Sequence, residues 1–372
     1  MHGEITVIEP SGYFQRRAFF LLPWQIYNGD AHWVPPLLLQ VKESLDTRKN
    51  PFYQHTRAKL FLALKDGRPA GRVAAIMNGP HNEFHREKVG FFGFFECIND
   101  PAVASAVLTR AREWLASQGM TIFRGPANPS TNHDCGLLVD AFDLPAQVMM
   151  PYNPRYYIGL LESCGLRKAR DLYAYRITSD QFGPEFFRLA NHIEKRSGVQ
   201  VRAIDMKHFD REVRLIQEIY NAAWERNWGF VPVDDAEFKY LAQQMKQILE
   251  PSLALIGFID GKPGGFSLTL PNINEILITM NGRLLPFGIL KLMAGTKKIK
   301  SARNLLMGIV PAYRKLGLDL VLYKHTFEAG NKRGYTWGEL SWILEDNTEM
   351  RRVLEKIGAH VYKTYRFYEM PM

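Results

Sequence analysis

Cysteine is scarce. The three residues, Cys97, Cys135 and Cys164, are spaced neither as a disulfide framework nor as a metal-ligand set. Stabilisation by cross-links is therefore not expected, and a reducing cytoplasm is the expected location. Long apolar runs are missing as well. None is long enough to span a bilayer, and no secretory signal is expected ahead of Ile5-Thr6-Val7-Ile8. No nucleic-acid motif is recognisable. Acidic residues are in deficit, with 38 Asp and Glu against 47 Lys and Arg. The resulting net charge of +9 favours an anionic partner: a phosphorylated co-substrate or an anionic membrane, with nucleic acid the weakest of the three. With 46% hydrophobic and 23% charged residues the chain is an ordinary globular one, and 372 residues suggest two domains.

What is present concentrates first around residues 305–319. The apolar, β-favouring run Leu305-Leu306-Met307-Gly308-Ile309-Val310 ends at Pro311. Arg314-Lys315-Leu316-Gly317 follows, and a helical pattern opens with Leu318, Val321 and Leu322 on one face. Strand, basic turn and helix form a phosphate-binding arrangement, because free amides at a helix N-terminus attract anions. A solvated basic loop is the plain alternative.

Around it lies a repeated grammar. Residues 59–64 and 70–76, joined by Lys65-Asp66-Gly67-Arg68, read as a hairpin, and so do 253–259 and 264–270 around Asp260-Gly261. Residues 89–96 read as an aromatic strand. Asn99-Asp100-Pro101 then fits an N-cap aspartate with proline at the first helical position, opening a helix over 101–117. That cap would satisfy the helix amides and repel phosphate, so the first half is the poorer anion site. The expected division is a first domain over 1–178, a connecting segment over 179–198 and a second domain over 199–372. Residues 284–293, apolar and followed by Lys297-Lys298-Ile299-Lys300, suit an anionic membrane surface or the mouth of a lipid pocket; a core helix with a basic end is the bland alternative.

One segment, residues 124–136, combines glycines and prolines that exclude regular structure with Asn128, Ser130, Thr131, Asn132 and His133, which offer many hydrogen bonds. Loops on rigid scaffolds commonly carry binding groups. Asn128, Ser130, His133 and the nearby Tyr152 are the candidate substrate-binding residues. Self-capping of the turn is the competing reading. His325 sits near the apolar face of its helix and reads as a satisfied core histidine.

The order of strand, basic turn, helix and strand in the second half resembles the GNAT acyltransferase superfamily, and both halves together resemble two tandem GNAT-like domains of α/β class with a mixed α+β sheet. The resemblance implies that Arg314-Lys315-Leu316-Gly317-Leu318-Asp319 matches the loop cradling the coenzyme A pyrophosphate. The family pattern is Arg or Gln, two residues, Gly, one residue, then Gly or Ala; here Asp319 takes the last place. It further implies that Ile309 or Val310 supplies an amide to the acyl group. The implied cofactor-side residues are thus Ile309, Val310, Arg314, Lys315, Gly317 and Leu318, with acyl-CoA as co-substrate and nothing permanently bound. Acyl transfer to an amine needs a base and an oxyanion donor. Glu96, Glu339 and Asn132 are the catalytic candidates. Both carboxylates neighbour apolar or aromatic residues, which raise a carboxyl pKa; an ordinary strand-end charge is the alternative for each.

Across nearly the whole chain, Leu22-Pro23-Trp24, Trp33-Val34-Pro35-Pro36, Asn50-Pro51-Phe52 and the 91–96 and 124–132 segments resemble a bacterial group of tandem GNAT proteins that includes ceramide synthases. That likeness implies a long-chain acyl-CoA donor, a sphingoid-base acceptor drawn from the first domain's side, and peripheral contact with the inner membrane. Relatives of this group carry a nucleotide pyrophosphohydrolase label, but no Nudix-type glutamate cluster is present. A small-molecule or peptide N-acetyltransferase using acetyl-CoA, and a non-catalytic acyl-CoA-binding protein, remain open alternatives.

Overall fold

Two Asp-Gly turns organise the chain. Asp66 and Gly67 have φ of 50° and 75°, and Asp260 and Gly261 have 50° and 74°. Two successive positive φ values match the right-handed twist of a tight hairpin, and Asp-Gly is a favoured pair for it. The structure, a computed structural model, describes residues 3–224, 228–284 and 288–372. It divides into two units. The first comprises Met1–Leu172, Leu277–Pro286 and Lys363–Met372; the second comprises Tyr173–Ile276 and Phe287–Tyr362.

The first unit runs β1 (Ile5–Ile8), α1 (Gly12–Ile26), α2 (Leu38–Ser44), β2 (Thr56–Lys65), β3 (Arg68–Asn78), α3 (Gly79–His85), β4 (Val89–Cys97) and α4 (Pro101–Ser117). After these come β5 (Ile122–Gly125), the two-residue strands β6 (Ala127–Asn128), β7 (Asp134–Cys135) and β8 (Leu137–Leu138), α5 (Tyr157–Ser163) and the start of β9 (Arg167–Thr178). Strands β1 to β4 are antiparallel, whereas β4 and β5, joined through α4, are parallel. Helix α4 lays Val103, Val107, Ala111 and Leu115 on the core, all with no exposed surface. As expected, Asp100 caps it, accepting from the Ala102 and Val103 amides at 2.9 and 3.4 Å. Segment 124–136 is less irregular than its composition implies: Ala127 pairs with Cys135 and Asn128 with Asp134 in a two-rung ladder.

The second unit repeats the plan. It contains α6 (Pro184–Arg196), β10 (Val199–Ala203), α7 (Phe209–Trp224), α8 (Asp235–Lys246), β11 (Ala254–Ile259), β12 (Lys262–Pro271), α9 (Asn274–Leu277), α10 (Gly288–Gly295), β13 (Ser301–Ile309), α11 (Leu318–Lys332), β14 (Trp337–Leu344) and α12 (Thr348–Lys356). Strands β10 to β13 are antiparallel in sequence order, and β13 and β14, joined through α11, are parallel. Residues 179–198 are largely helical: α6 packs on α11, where Glu194 reaches Lys324 at 2.5 Å and His325 at 2.7 Å. The final strand, β15 (His360–Pro371), returns to the first unit, where Tyr368 pairs with Gly125 and Tyr365 with Leu138.

Candidate active site

The parallel pair in each unit determines what that unit can bind. In the first unit the β4–β5 ladder runs from Val89↔Ile122 to Phe91↔Arg124, while β4 continues to Cys97. Beyond the last rung Phe94 adopts φ 50°, and the chain fills the edge itself. The Asn128 side chain accepts the Phe94 amide at 2.5 Å. The Ala127 carbonyl lies so close to Gly93 that a Cβ there would be 1.8 Å from it. Asn128 is thus tied to the backbone of β4. Ser130 and His133 pair with each other at 2.8 Å, the His133 ring meets Phe52 edge-on at 5.6 Å, and the Asn132 amide donates to the Ser130 hydroxyl at 3.2 Å. Burial pushes the His133 imidazole down to about 4. Tyr152 donates to Asp30 at 3.0 Å and to the Phe142 carbonyl at 2.9 Å. Met150 is buried.

Glu96 stands two residues past Phe94. Tyr157 donates to its carboxylate at 2.8 Å, and Arg72, its cross-strand partner, approaches at 3.6 Å. Burial raises the Glu96 pKa above the ordinary carboxyl value, opposed by the Arg72 charge and by hydrogen bonds from Tyr157 and Tyr27. Tyr27, stacked on Trp33 at 4.7 Å, also donates to the Tyr152 carbonyl at 3.3 Å. The structure therefore links Glu96 to Tyr152 through Tyr27, with Tyr157 and Arg72 on the same carboxylate, whereas Asn128 is bonded to the β4 backbone at Phe94. Sequence reasoning passed over Tyr27, Tyr157 and Arg72. A signal existed for Arg72: a lone arginine inside an apolar strand requires a buried partner.

Glu339 is differently placed. Its carboxylate pairs with Arg303 at 3.4 Å, both side chains fully buried, and Ser341 donates to it at 2.6 Å. The Tyr362 hydroxyl donates to its other oxygen. Ser341 in turn accepts from Arg303 at 2.9 Å. With both oxygens engaged, Glu339 neutralises a buried guanidinium. In α8, Glu237 is a further carboxyl that sequence reasoning did not single out; burial and then the Asp234 charge push it up to about 7.

In the second unit the β13–β14 ladder runs from Ser301↔Trp337 to Asn304↔Leu340, although β13 continues to Ile309 and β14 to Leu344. Past that rung most residues of both strands become half-buried. The loop above carries Lys315 at φ 67° and Gly317, the N-cap of α11, at φ 79°. A side chain at Gly317 would also strike Ile193 of α6. Leu318, the first residue of α11, is buried over Gly257, Gly264 and Gly265, where any Cβ would come within 3.1 Å of it. Those three glycines let the helix N-terminus approach the sheet closely.

Arg314 donates to the Ala223 carbonyl at 2.7 Å and the Ile309 carbonyl at 3.4 Å, fastening the loop to α7. Lys315 is exposed. The Val310 amide already donates to Gly264 at 2.9 Å. Burial raises the Asp319 pKa, partly opposed by the backbone amides of Asp319 and Leu320. Among the described residues, no group of three His, Cys, Asp or Glu could hold a metal ion.

Two units, each with a strand–helix–strand crossover whose parallel ladder ends after a few rungs, define the tandem GNAT fold. No protein-family model matches the chain. It is 36% identical to the bacterial ceramide synthase of Caulobacter vibrioides over 99% of this chain and 98% of that protein. It is likewise 36% identical to protein YghO of Escherichia coli over 95% of this chain and 92% of that one. A tandem GNAT protein from the clavulanic acid biosynthesis pathway shares the fold, with a TM-score of 0.59 at 12% identity over 99% of this chain and 98% of that chain. The chain belongs to the bacterial ceramide synthase-like family of tandem GNAT proteins.

Proposed function

We propose that the protein transfers a long-chain acyl group from acyl-CoA to the primary amine of a sphingoid base, with the second unit holding the donor. The observation that carries the donor assignment is the contrast between the two parallel pairs. In the first unit the edge beyond the last rung is taken by Ala127 and Asn128, whereas in the second both strands run on half-buried beneath the Gly317 turn. The acceptor class is supported by the full-length likeness to a bacterial ceramide synthase.

In this reading Lys315 and the amides at Gly317 and Leu318 face the diphosphate, and Arg314 holds the loop in shape. The pantetheine arm follows residues 305–309, with Ile309 the remaining amide of the two the family pattern offers. The amine nitrogen attacks the thioester carbonyl; the C–N bond forms, the C–S bond breaks, and the thiolate leaves as free CoA with the proton that the base has taken from the amine. Glu96 takes the amine proton, because a carboxyl with a raised pKa is the better base at neutral pH. Asn128, Ser130, Asn132, His133 and Tyr152 shape the acceptor side. On α10, Ile289, Leu290 and Met293 are exposed beside Lys291, Lys297 and Lys298, a composition that suits an anionic membrane surface; residues 285–287 of the same stretch lie outside the described residues. Among the described residues no helix is long and apolar enough to cross a membrane.

Purified protein incubated with sphinganine and acyl-CoAs of graded length should yield an N-acyl amide, detected by mass spectrometry, with long chains preferred over acetyl. No amide at any chain length would overturn the reading. Amide from acetyl-CoA alone would replace it with a small-substrate acetyltransferase.

A further inference from the structure

Helix α7 ends against the part of β13 that lies past its last rung with β14, at Asn304. A Cβ at Gly308 would collide with the Trp224 ring and lie 3.0 Å from the Ala223 side chain, so glycine there lets the helix rest directly on the strand. An aromatic row leads away from that contact. The Trp224 ring meets Tyr220 at 4.8 Å, and Tyr220 meets Phe230 at 5.5 Å and Phe238 of α8 at 5.8 Å. Glu237, in the first turn of α8, borders the same surface: burial first and then the Glu237 charge raise the pKa of the Tyr220 hydroxyl.

The other acids at the start of α8 are engaged. Asp234 caps the helix, accepting the Glu237 amide at 2.8 Å, and Asp235 accepts from Gln217 of α7 at 3.0 Å. The half-buried Glu237 carboxylate has no cation or donor among the described residues: burial and then the Asp234 charge raise its pKa, and no group lowers it. A second acceptor is left over nearby. Asn221 lies one turn beyond Gln217, on the row of α7 that faces the start of α8, and its side-chain oxygen is buried without a partner among the described residues.

Buried acceptors are normally satisfied. Two that are not, beside a row of aromatic faces, call for a donor that the chain itself does not supply. A primary ammonium brings only donors, and its positive charge is attracted by a carboxylate and by ring faces alike. An alcohol brings one donor and no charge, and leaves the carboxylate without its counter-ion.

We propose that Glu237 and Asn221 receive the ammonium group of the acceptor against the aromatic row of α7, and so make the second unit selective for an amine over an alcohol of equal chain length. The inference rests on the proposed acyl transfer to an amine with the donor along β13, and it concerns recognition of the charged amine before its proton is lost. The test joins calorimetric titration of decylamine and decanol to steady-state kinetics in sphinganine, for wild type, Glu237→Gln, Glu237→Leu and Asn221→Ala, with folding checked by urea unfolding. Wild type should bind decylamine about tenfold or more tightly than decanol, the worth of a hydrogen bond to a charged group. Glu237→Gln should lose that ratio and raise KM for sphinganine by a similar factor, with kcat and CoA affinity retained, and Asn221→Ala should show a smaller loss of the same kind. Glu237→Leu removes a half-buried carboxyl that has no partner, so it should fold at least as stably as wild type and still lose the ratio. An amine preference that is absent from wild type or survives both Glu237 variants overturns the ammonium site alone, as does a Gln variant that lowers kcat at unchanged KM. No amide product from wild type with any acyl-CoA overturns the acyl-transfer reading beneath it.

Discussion

The Asn128 side-chain oxygen accepts the Phe94 amide at 2.5 Å, at the point where β4 has left its parallel partner. A segment of the same chain occupies the edge that an extended ligand would need. Replacing Asn128 by Ala leaves a partly buried amide without its acceptor, which costs about 1–3 kcal/mol. Urea unfolding should show that loss while CoA affinity stays at the wild-type value. If Asn128→Ala instead abolishes CoA binding, the donor belongs in the first unit.

The turn before α11 makes the opposite prediction. Asp319 places a carboxylate, raised in pKa by burial, where a diphosphate is expected. Asp319→Asn removes that charge, and CoA should bind more tightly by about 1 kcal/mol, the usual size of a charge effect at a helix terminus. Lys315→Ala should weaken binding by a similar amount, with the loss shrinking as salt is raised, since the side chain is exposed. Arg314→Ala should cost more than Lys315→Ala, because it also releases the Ala223 carbonyl. CoA titrations at two salt concentrations check all three, and a weaker Asp319→Asn complex refutes the phosphate assignment.

The two carboxylates separate by readout. Glu339→Gln leaves Arg303 buried without its counter-charge, so it should destabilise by about 3–5 kcal/mol and lose activity through folding. Glu96→Gln keeps an acceptor for Tyr157, and turnover should fall by about 10²- to 10⁴-fold, the range for a general base, with acyl-CoA affinity retained. Glu96 works as a base only when ionised, and burial has raised its pKa. Wild-type kcat/KM should therefore rise with pH through that raised pKa, and the rise should vanish in the Gln variant. An unchanged pH profile in Glu96→Gln removes Glu96 from the chemistry.

Much of the scaffold was legible because its signals are local. Asp66-Gly67 and Asp260-Gly261 announce hairpins through backbone geometry, and Asp100-Pro101 announces a helix start through capping. What could not be read depends on register and on distance in sequence. Alternation in Tyr365-Arg366-Phe367-Tyr368 marks a strand, yet nothing in it says that Tyr368 pairs with Gly125 of the first unit. The polar composition of 179–198 hid α6, whose Glu194 faces Lys324 and His325 more than a hundred residues later. For the candidate site, Glu96 and Glu339 looked alike in sequence. The partners separate them: Arg72 with two tyrosines for one, a fully buried Arg303 for the other.

Helix α10 exposes Leu290 and Met293 at 64% and 70%, a high fraction for apolar side chains on an eight-residue helix flanked by lysines. Leu290→Glu with Met293→Glu should abolish co-sedimentation with phosphatidylserine-containing vesicles. Lys297→Ala with Lys298→Ala should weaken it by about 1 kcal/mol per lysine, more so at low salt. Equal sedimentation of wild type and both double variants would leave α10 without a membrane role.

His81 gives the fold an acid limit. Only 1% exposed, it lies 3.5 Å from Glu87, with its ring against His85 at 4.5 Å and Phe91 at 4.8 Å. Burial first, then the neighbouring His85 and Arg124 charges, hold it down to about 4 against the partial opposition of Glu87. The folded state thus keeps His81 neutral, while the unfolded chain takes up a proton below about 6.5. Stability from this site is complete above pH 6.5 and is lost as pH falls toward 4. The loss is about 2 kcal/mol by pH 5, at 1.36 kcal/mol per unit of pKa difference. Urea unfolding at pH 7 and pH 5 should show that difference in wild type, and His81→Phe, which cannot protonate, should reduce it by the same amount. An identical pH dependence in the two proteins would mean that His81 is protonated, or already solvated, in the native state.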